Sequence, residues 1–501
     1  MARVFESTRN NNIKVTPSEA IVMGLSQDGG LFVPRDLSEI KLQTEDIKDA
    51  DFNQIAQKII GLFFDDFSEE QLKESVNGAY DEKFDTKEIV PIVKTGDVFI
   101  MELFHGKTIA FKDIALSILP YLMKKAEENC SSGEDIVILT ATSGDTGKAA
   151  LEGFKDIEGI SIVVFYPENG VSQVQRLQMV TQEGYNTHVV AIDGNFDDAQ
   201  SAVKIILNDE IMRAGLKARN IKFSSANSIN IGRLIPQITY YFSTYEKLIK
   251  DEEINRGDPI NFVVPTGNFG NILAGYFAKQ IGLPVNKLIC AANENNILRD
   301  FIDTGIYDIN RPFIKTMSPS MDILISSNLE RLLYYLSDCD NDYITSLMKD
   351  LATNKKYEVN DTIKEKLKEE FWSSYCTEEE TMETIRRVFQ TYGYVMDTHT
   401  AVAYKTYEDY IRATKDQTKT VILSTASPFK FPGSVYSAIY GSSEKDELTL
   451  MAELSERTGL MIPDVVNGLG DKKILHQRTC KPETMADEIM AIISEDQDDR
   501  A

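Results

Sequence analysis

The stretch DIVILTATSGDTGKAA, residues 135–150, sets the fold class: a run of apolar and β-branched side chains passes through small polar residues into a helix-patterned segment. Apolarity without alternation predicts a strand buried on both faces, as in a parallel sheet covered by helices. The same succession of short apolar run, glycine-rich or polar loop and longer helical segment recurs across residues 97–294. It predicts further strands at ISIVVFYP (160–167), THVVAID (187–193), INFVVP (260–265) and KLICAAN (287–293). The fold class is therefore α/β, with two lobes of parallel sheet covered by helices. Ligands are expected beyond the carboxyl ends of the first and fourth of these strands.

On either side of that core the pattern changes. Residues 1–90 read as a small N-terminal unit of amphipathic helices around the turn DGGLFVP (28–34), with a charged, weakly patterned stretch at 43–50. Residues 91–235 are expected to form the smaller lobe and residues 236–501 the larger. Within the larger lobe, residues 340–390 turn acidic and helical. EKLKEEF and TEEETMETIRR space their charges for (i, i+4) pairs, the pattern of a solvated helical layer. The tail SEDQDDRA (494–501) is expected to fray.

The 501 residues carry 53 Lys and Arg against 78 Asp and Glu, a formal net charge of −25. That field repels nucleic acid and anionic membrane surfaces, so neither is an expected partner. It repels a phosphate ester too, so binding one requires cations and backbone N–H donors gathered locally. Cys130, Cys290, Cys339, Cys376 and Cys480 are scattered with no CxxC pair, which reads as free thiols in a reducing compartment. The start, MARVFESTRNNNIKV, lacks an apolar run of signal-peptide length, and no stretch reaches the ~18 apolar residues of a membrane span. The cytoplasm is the expected location. His105, His188, His399 and His476 form no HExxH or HxH pattern, so no metal site is expected. His105, beside the HGKT turn, reads either as a site-lining residue or as a turn histidine.

Three segments carry candidate chemistry. In HGKTIAFKD (105–113), Lys112 follows Ala110 and Phe111 at a helix start, where lost solvation would lower its pKa and make it a competent amine nucleophile. In TSGDTGKAA (142–150), Gly144 and Gly147 permit close backbone approach, while Ser143, Asp145 and Thr146 can cap the helix or receive an anion. In PTGNFGNILAGY (265–276), glycines and asparagines at a helix N-terminus suit a phosphate cup. No GKS or GKT follows, and Gly267, Gly270 and Gly275 do not match GxGxxG. Tyr240 and Tyr241, in a helical pattern after Pro236, read as packing aromatics.

These loops, in this order, resemble those of fold-type II pyridoxal-phosphate enzymes, with a tryptophan synthase β-like architecture, and their spelling is similar to the threonine synthase family. FESTR (5–9), SSANSINIGRLIPQ (224–237), SPSMDILISSNLERLL (318–333), MDTHTAV (396–402) and LSTASPFKFP (423–432) extend the resemblance nearly end to end, toward the long-chain bacterial and fungal type. The resemblance implies pyridoxal 5'-phosphate as cofactor, Lys112 as its Schiff-base lysine and Gly267, Asn268, Phe269, Gly270 and Asn271 as its phosphate cup. It implies Asp145 beside the phenolic oxygen and Thr425 at the pyridine nitrogen, although Thr425 also reads as an ordinary strand-end threonine. Thr142, Ser143, Gly144 and Thr146 would receive the substrate carboxylate, and Lys148, Asn230 and Arg233 the substrate phosphate.

The activity implied is conversion of O-phospho-L-homoserine and water to L-threonine and phosphate, by a lyase that is a monomer or homodimer. Alternatives are a phospholyase or a serine or threonine dehydratase of the same fold, and a binding protein that has lost catalysis. NSINIGR, ASPFKF and DTHTA depart from the family spellings NSINWAR, AHPAKF and DPHTA, so pocket detail around Ile231, Gly232, Ser427 and Phe429 is not carried over.

Overall fold

The computed structural model describes residues 3–500. Its two main sheets face the site with the carboxyl ends of parallel strands. The first has five strands in the order Arg478–Cys480, Thr187–Ile192, Ile160–Pro167, Asp135–Ala141, Ile221–Ser225, all parallel. The second has six, ordered Phe371–Tyr375, Val285–Ala292, Ile260–Pro265, Thr420–Ser424, Val98–Glu102, Ile92–Thr95, of which only the last pairing is antiparallel. The expected α/β architecture is present. Asp135–Ala141, Ile160–Pro167 and Ile260–Pro265 coincide with the predicted strands, and every residue of the last two is buried. That double-sided burial is why their side chains do not alternate.

Sheet membership does not follow the linear order of segments. Ile92–Thr95 and Val98–Glu102, which precede Lys112, belong to the second sheet, whereas Arg478–Cys480 returns to the first. The lobes are thus laced together at both ends of the chain. The tail is likewise tied down: it is helical over Met485–Arg500, burying Met485, Ile489, Ile492 and Ile493 against the first sheet. Asp496 Oδ2 accepts from Ser161 Oγ at 2.7 Å, so the expected fraying is corrected for the described residues; Ala501 lies outside them.

The N-terminal unit holds the expected helices Pro17–Met23, Phe52–Phe63 and Glu69–Ala79, but also an unexpected antiparallel sheet of Asn10–Val15, Phe5–Ser7 and Phe32–Pro34. Residues 340–390 contain three helices together with the edge strand Phe371–Tyr375 of the second sheet. Charged side chains there bridge separate elements, as in Arg387 Nη2 to Glu408 (2.7 Å) and Lys366 to Asp338 (2.9 Å), instead of forming the predicted (i, i+4) ladder. Among the described residues no helix is long and apolar enough to cross a membrane.

One contact sets the spacing of the two helices that carry the site. Pro120 lies inside Lys112–Cys130 and has no N–H to give Leu116 O four residues earlier. Gly153, on Asp145–Phe154, packs over that freed carbonyl, where a Cβ would lie 2.2 Å from Leu116 O. The glycine lets the helices approach closely enough for their first residues to meet.

Candidate active site

Those first residues are Lys112 and Asp145. The loop before Lys112 is fastened to the loop after Thr420–Ser424: Phe111 N donates to Thr425 O at 2.8 Å and Ser427 N to Ile109 O at 3.0 Å. Within the loop, Asp113 accepts from Thr108 N (2.8 Å) and Oγ1 (2.5 Å), and burial lifts its pKa to about 6. Ile109 takes the left-handed backbone region (φ 53°), a strained conformation for a β-branched residue. The strain and the tethers together deliver the Lys112 side chain to the cleft.

Lys112 Nζ lies 3.3 Å from Asp145 Oδ2 and 4.7 Å from the Phe111 ring centroid. Burial lowers its pKa; Asp145 opposes the fall, and the positive charges of Arg233 and Lys430 reinforce it. Asp145 is held from four sides. Its Oδ2 also accepts from Ser320 Oγ (2.7 Å), and its Oδ1 accepts from Gln175 Nε2 (2.8 Å) and lies 3.4 Å from Lys430 Nζ. Burial alone would raise its pKa, but the ammonium groups of Lys112 and Lys430 hold it far below the usual carboxylate range. The pair is a desolvated amine beside a carboxylate whose ionised form its cationic neighbours favour.

Across the cleft stand residues 267–271, the loop expected to serve as a phosphate cup. Phe269 adopts the left-handed region (φ 62°) as the cap of Gly270–Ile281, which turns the loop back on itself. Bonds from behind hold its carbonyls away from the cleft: Ser326 Oγ donates to Gly267 O (2.8 Å), and Asn328 N and Nδ2 both donate to Asn268 O (3.1 and 3.0 Å). The helix's first N–H groups have no intrahelical acceptor and carry its positive dipole end. Tyr240 Oη and Tyr241 Oη lie 2.6 and 3.0 Å from Asn271 Oδ1, so these tyrosines steady the cup as well as pack. Asn271 Nδ2 and Arg233 Nε are buried donors with no hydrogen-bond partner. The helix dipole and the orphaned donors Asn271 Nδ2 and Arg233 Nε fit an anion of the phosphate type.

Lys112, Thr142, Ser143, Thr146, Arg233, all of residues 267–271 and Thr425 line this one cleft. Gly144 and Asp145 adjoin it through the turn, where Thr142 Oγ1 accepts from Gly144 N (2.9 Å) and Gly147 N (2.8 Å). Two predicted residues are not brought there. Lys148 points to the other side of its helix, donating to Glu152 (2.9 Å) and Gln182, because it stands two residues after the cleft-lining Thr146 and two residues turn a helix by about 200°. Asn230 is fully buried and structural: its Nδ2 donates to Ile21 O (3.0 Å) and Ser225 O (2.9 Å), and its Oδ1 accepts from Gly232 N (2.9 Å). The asparagine of that motif that lines the cleft is Asn227, with Ser228.

Residues given no role from the sequence complete the site. Lys430, Gln175 and Ser320 grip Asp145, and His399 Nε2 accepts from Ser320 N (3.1 Å) while its Nδ1 faces Asp397 Oδ1 (2.9 Å). The acceptor role at Nε2 places the proton on Nδ1. All but Gln175 sit within family motifs, whose spelling marks them without revealing what they touch. His105 is not in the cleft: Asp85 (2.6 Å) and Glu102 (3.0 Å) hold its two ring nitrogens.

Comparison with known proteins shows the family to which the chain belongs. The family model "Pyridoxal-phosphate dependent enzyme" matches residues 88–426, which defines the class, and the cofactor is pyridoxal phosphate. The models "Threonine synthase N terminus" and "Threonine synthase, C-terminal" match residues 4–80 and 400–464. The chain belongs to the threonine synthase family. It is 36% identical to threonine synthase of Saccharomyces cerevisiae, over 89% of this chain and 92% of the yeast protein. It is 38% identical to human threonine synthase-like 1 over 84% of this chain, and spans 58% of that longer relative. The crystal structure of PLP-bound threonine synthase from Brucella melitensis superposes with a TM-score of 0.85 at 32% identity, covering 98% of this chain and 99% of that one. The yeast threonine synthase structure also gives 0.85 at 32%, covering 99% of both.

Proposed function

We propose that the chain is a lyase that converts O-phospho-L-homoserine and water to L-threonine and phosphate. The observation that carries this reading is Lys112, desolvated and 3.3 Å from an ionised Asp145 on the rim of a cleft whose far wall offers unpaired phosphate donors. The cofactor, when bound, supplies an electron sink for charge developing next to the substrate's amino carbon. Residues 267–271 would hold its phosphate, the Thr425 hydroxyl would serve its ring nitrogen, and Asp145 would serve its phenolic oxygen.

Lys112 does the proton work. Burial lowers its pKa, so the amine can carry a proton away from Cα, pass it on, and then take one from Cβ of the substrate. The Cγ–O bond then breaks with its electron pair leaving on phosphate, water adds its oxygen to Cβ and gives up a proton that balances the released phosphate, and the two protons taken earlier return to Cγ and Cα. Ser143, Gly144 and Thr146, at a helix start, receive the substrate carboxylate. Arg233 with Asn227 binds its phosphate; burial pushes the guanidinium down to about 10, still cationic at neutral pH.

The test is product analysis. Purified protein supplied with pyridoxal phosphate and phosphohomoserine should release threonine and phosphate in equal amounts, and Lys112→Ala should release neither. A 2-oxo acid in place of threonine would transfer the assignment to a phospholyase, and turnover by Lys112→Ala would remove the lysine from the mechanism.

A further inference from the structure

On the side of Asp145–Phe154 turned away from the cleft, a second cavity of about 520 Å³ lies between that helix, the helix Gln173–Val180 and the segment around residues 465–475. It is basic in a chain of net charge −25: Lys148, Lys155, Lys472 and Lys473 face it against two carboxylates, Glu152 and Glu183. Those carboxylates are already engaged, Glu152 with Lys148 (2.9 Å) and Glu183 with Lys155 (3.4 Å). Lys472 and Lys473 are exposed at the rim. The charges are close enough to interact, since Lys472 helps depress the pKa of Lys148, after burial, which is the largest cause.

A second, independent feature points to a ligand. Gln178 also lines the cavity, is 2% exposed, and its Nε2 has no hydrogen-bond partner. An unpaired buried amide donor is costly unless something accepts from it. Its other end is committed: Gln178 Oε1 accepts from Lys430 Nζ at 2.7 Å. Lys430, fully buried, lies 3.4 Å from Asp145 Oδ1, and Asp145 Oδ2 meets Lys112 Nζ at 3.3 Å. A short polar relay therefore runs from this cavity to the reacting amine.

We propose that this cavity is an effector site for a small organic anion, whose carboxylate or phosphate group accepts from Gln178 Nε2 and Lys148 and is drawn in by Lys472 and Lys473. Its volume suits a metabolite. Occupancy reaches the active site because a negative charge beside Gln178 pulls on Lys430 and so changes how Asp145 is shared between Lys430 and Lys112.

Calorimetry on the holoenzyme, with malate and inorganic phosphate as probes at constant ionic strength, tests the site without substrate, so its failure is distinct from failure of the proposed reaction. The proposal expects saturable binding of at least one probe with Kd on the order of 1 mM or tighter. It expects Lys472→Gln with Lys473→Gln, both exposed and outside the cleft, to weaken that binding at least roughly tenfold, about 1.4 kcal/mol. The visible spectrum of bound cofactor should change over the same concentration range. The two probes tell a carboxylate-preferring site from a phosphate-preferring one. Absence of saturable binding, or equal binding by wild type and the double variant, overturns the site; binding with an unchanged spectrum overturns the relay.

Discussion

Replacing Gly267 by alanine would place a Cβ 2.6 Å from Ser320 O and 3.4 Å from Met321 Cα. The first distance is below van der Waals contact and the obstacle is backbone, so a rotamer change cannot relieve it. Either the cup or the Ser320 segment must move. Ser320 is committed on both sides, through its N–H to His399 Nε2 (3.1 Å) and its Oγ to Asp145 Oδ2 (2.7 Å), so movement there disturbs Asp145 as well. Overpacking of this kind costs about 1–3 kcal/mol. If that strain is relieved when the cup relaxes away from its cofactor-binding shape, it emerges as a loss of cofactor affinity of roughly 5- to 150-fold. Titration of the apoprotein with pyridoxal phosphate, followed by visible absorbance, reads this directly. Gly270→Ala is the control, since its Cβ would meet Asn328 Nδ2 at 3.6 Å and Ser228 Cβ at 3.7 Å, ordinary distances. Wild-type affinity in Gly267→Ala would refute the account of the cup as a tightly braced element.

Arg233→Ala removes a buried cation with an unpaired Nε, and should lower kcat/KM for phosphohomoserine by an amount equivalent to about 2–5 kcal/mol of barrier, the range for deleting one member of a charge-assisted pair in a desolvated site; steady-state kinetics showing no change would remove it from the phosphate pocket. His105 gives a pH signature. Burial lowers its pKa, but Glu102 and Asp85 outweigh this and leave it above the ordinary 6.5. Its protonated pairing therefore stabilises fully below pH 6.5 and is lost as pH rises through the folded-state value. The Tm difference between wild type and His105→Gln should accordingly be largest in acid and shrink above pH 6.5; a difference that grows with pH would reverse the assignment. Ile489→Ala, in the docked tail helix, should lower unfolding stability by about 2–5 kcal/mol in urea titrations, and a neutral result would mean that the tail does not stabilise the first lobe.

The strands buried on both faces were legible from the linear order of residues, because uninterrupted apolar runs such as ISIVVFYP need no partner to be read. The two glycine-rich loops and Lys112, which the structure brings to one cleft, were legible too, since glycine-rich turns and an apolar-flanked lysine reflect local backbone and solvation requirements. Spelling across the whole chain placed it in its family. Which strands share a sheet was not legible, because pairing of Val98–Glu102 with Thr420–Ser424 joins residues far apart in the chain, and short runs carry no record of their neighbour. For the same reason Phe371–Tyr375 went unseen within an acidic helical region. Side chain direction was equally out of reach. Lys148 and Asn230 have suitable chemistry and sit in the right motifs, yet one faces the far side of its helix and the other commits its amide to Ile21, Ser225 and Gly232. Conversely Lys430, Gln175 and Ser320 converge on Asp145 from three separate segments, and only packing of the folded chain brings their charges and donors within bonding distance.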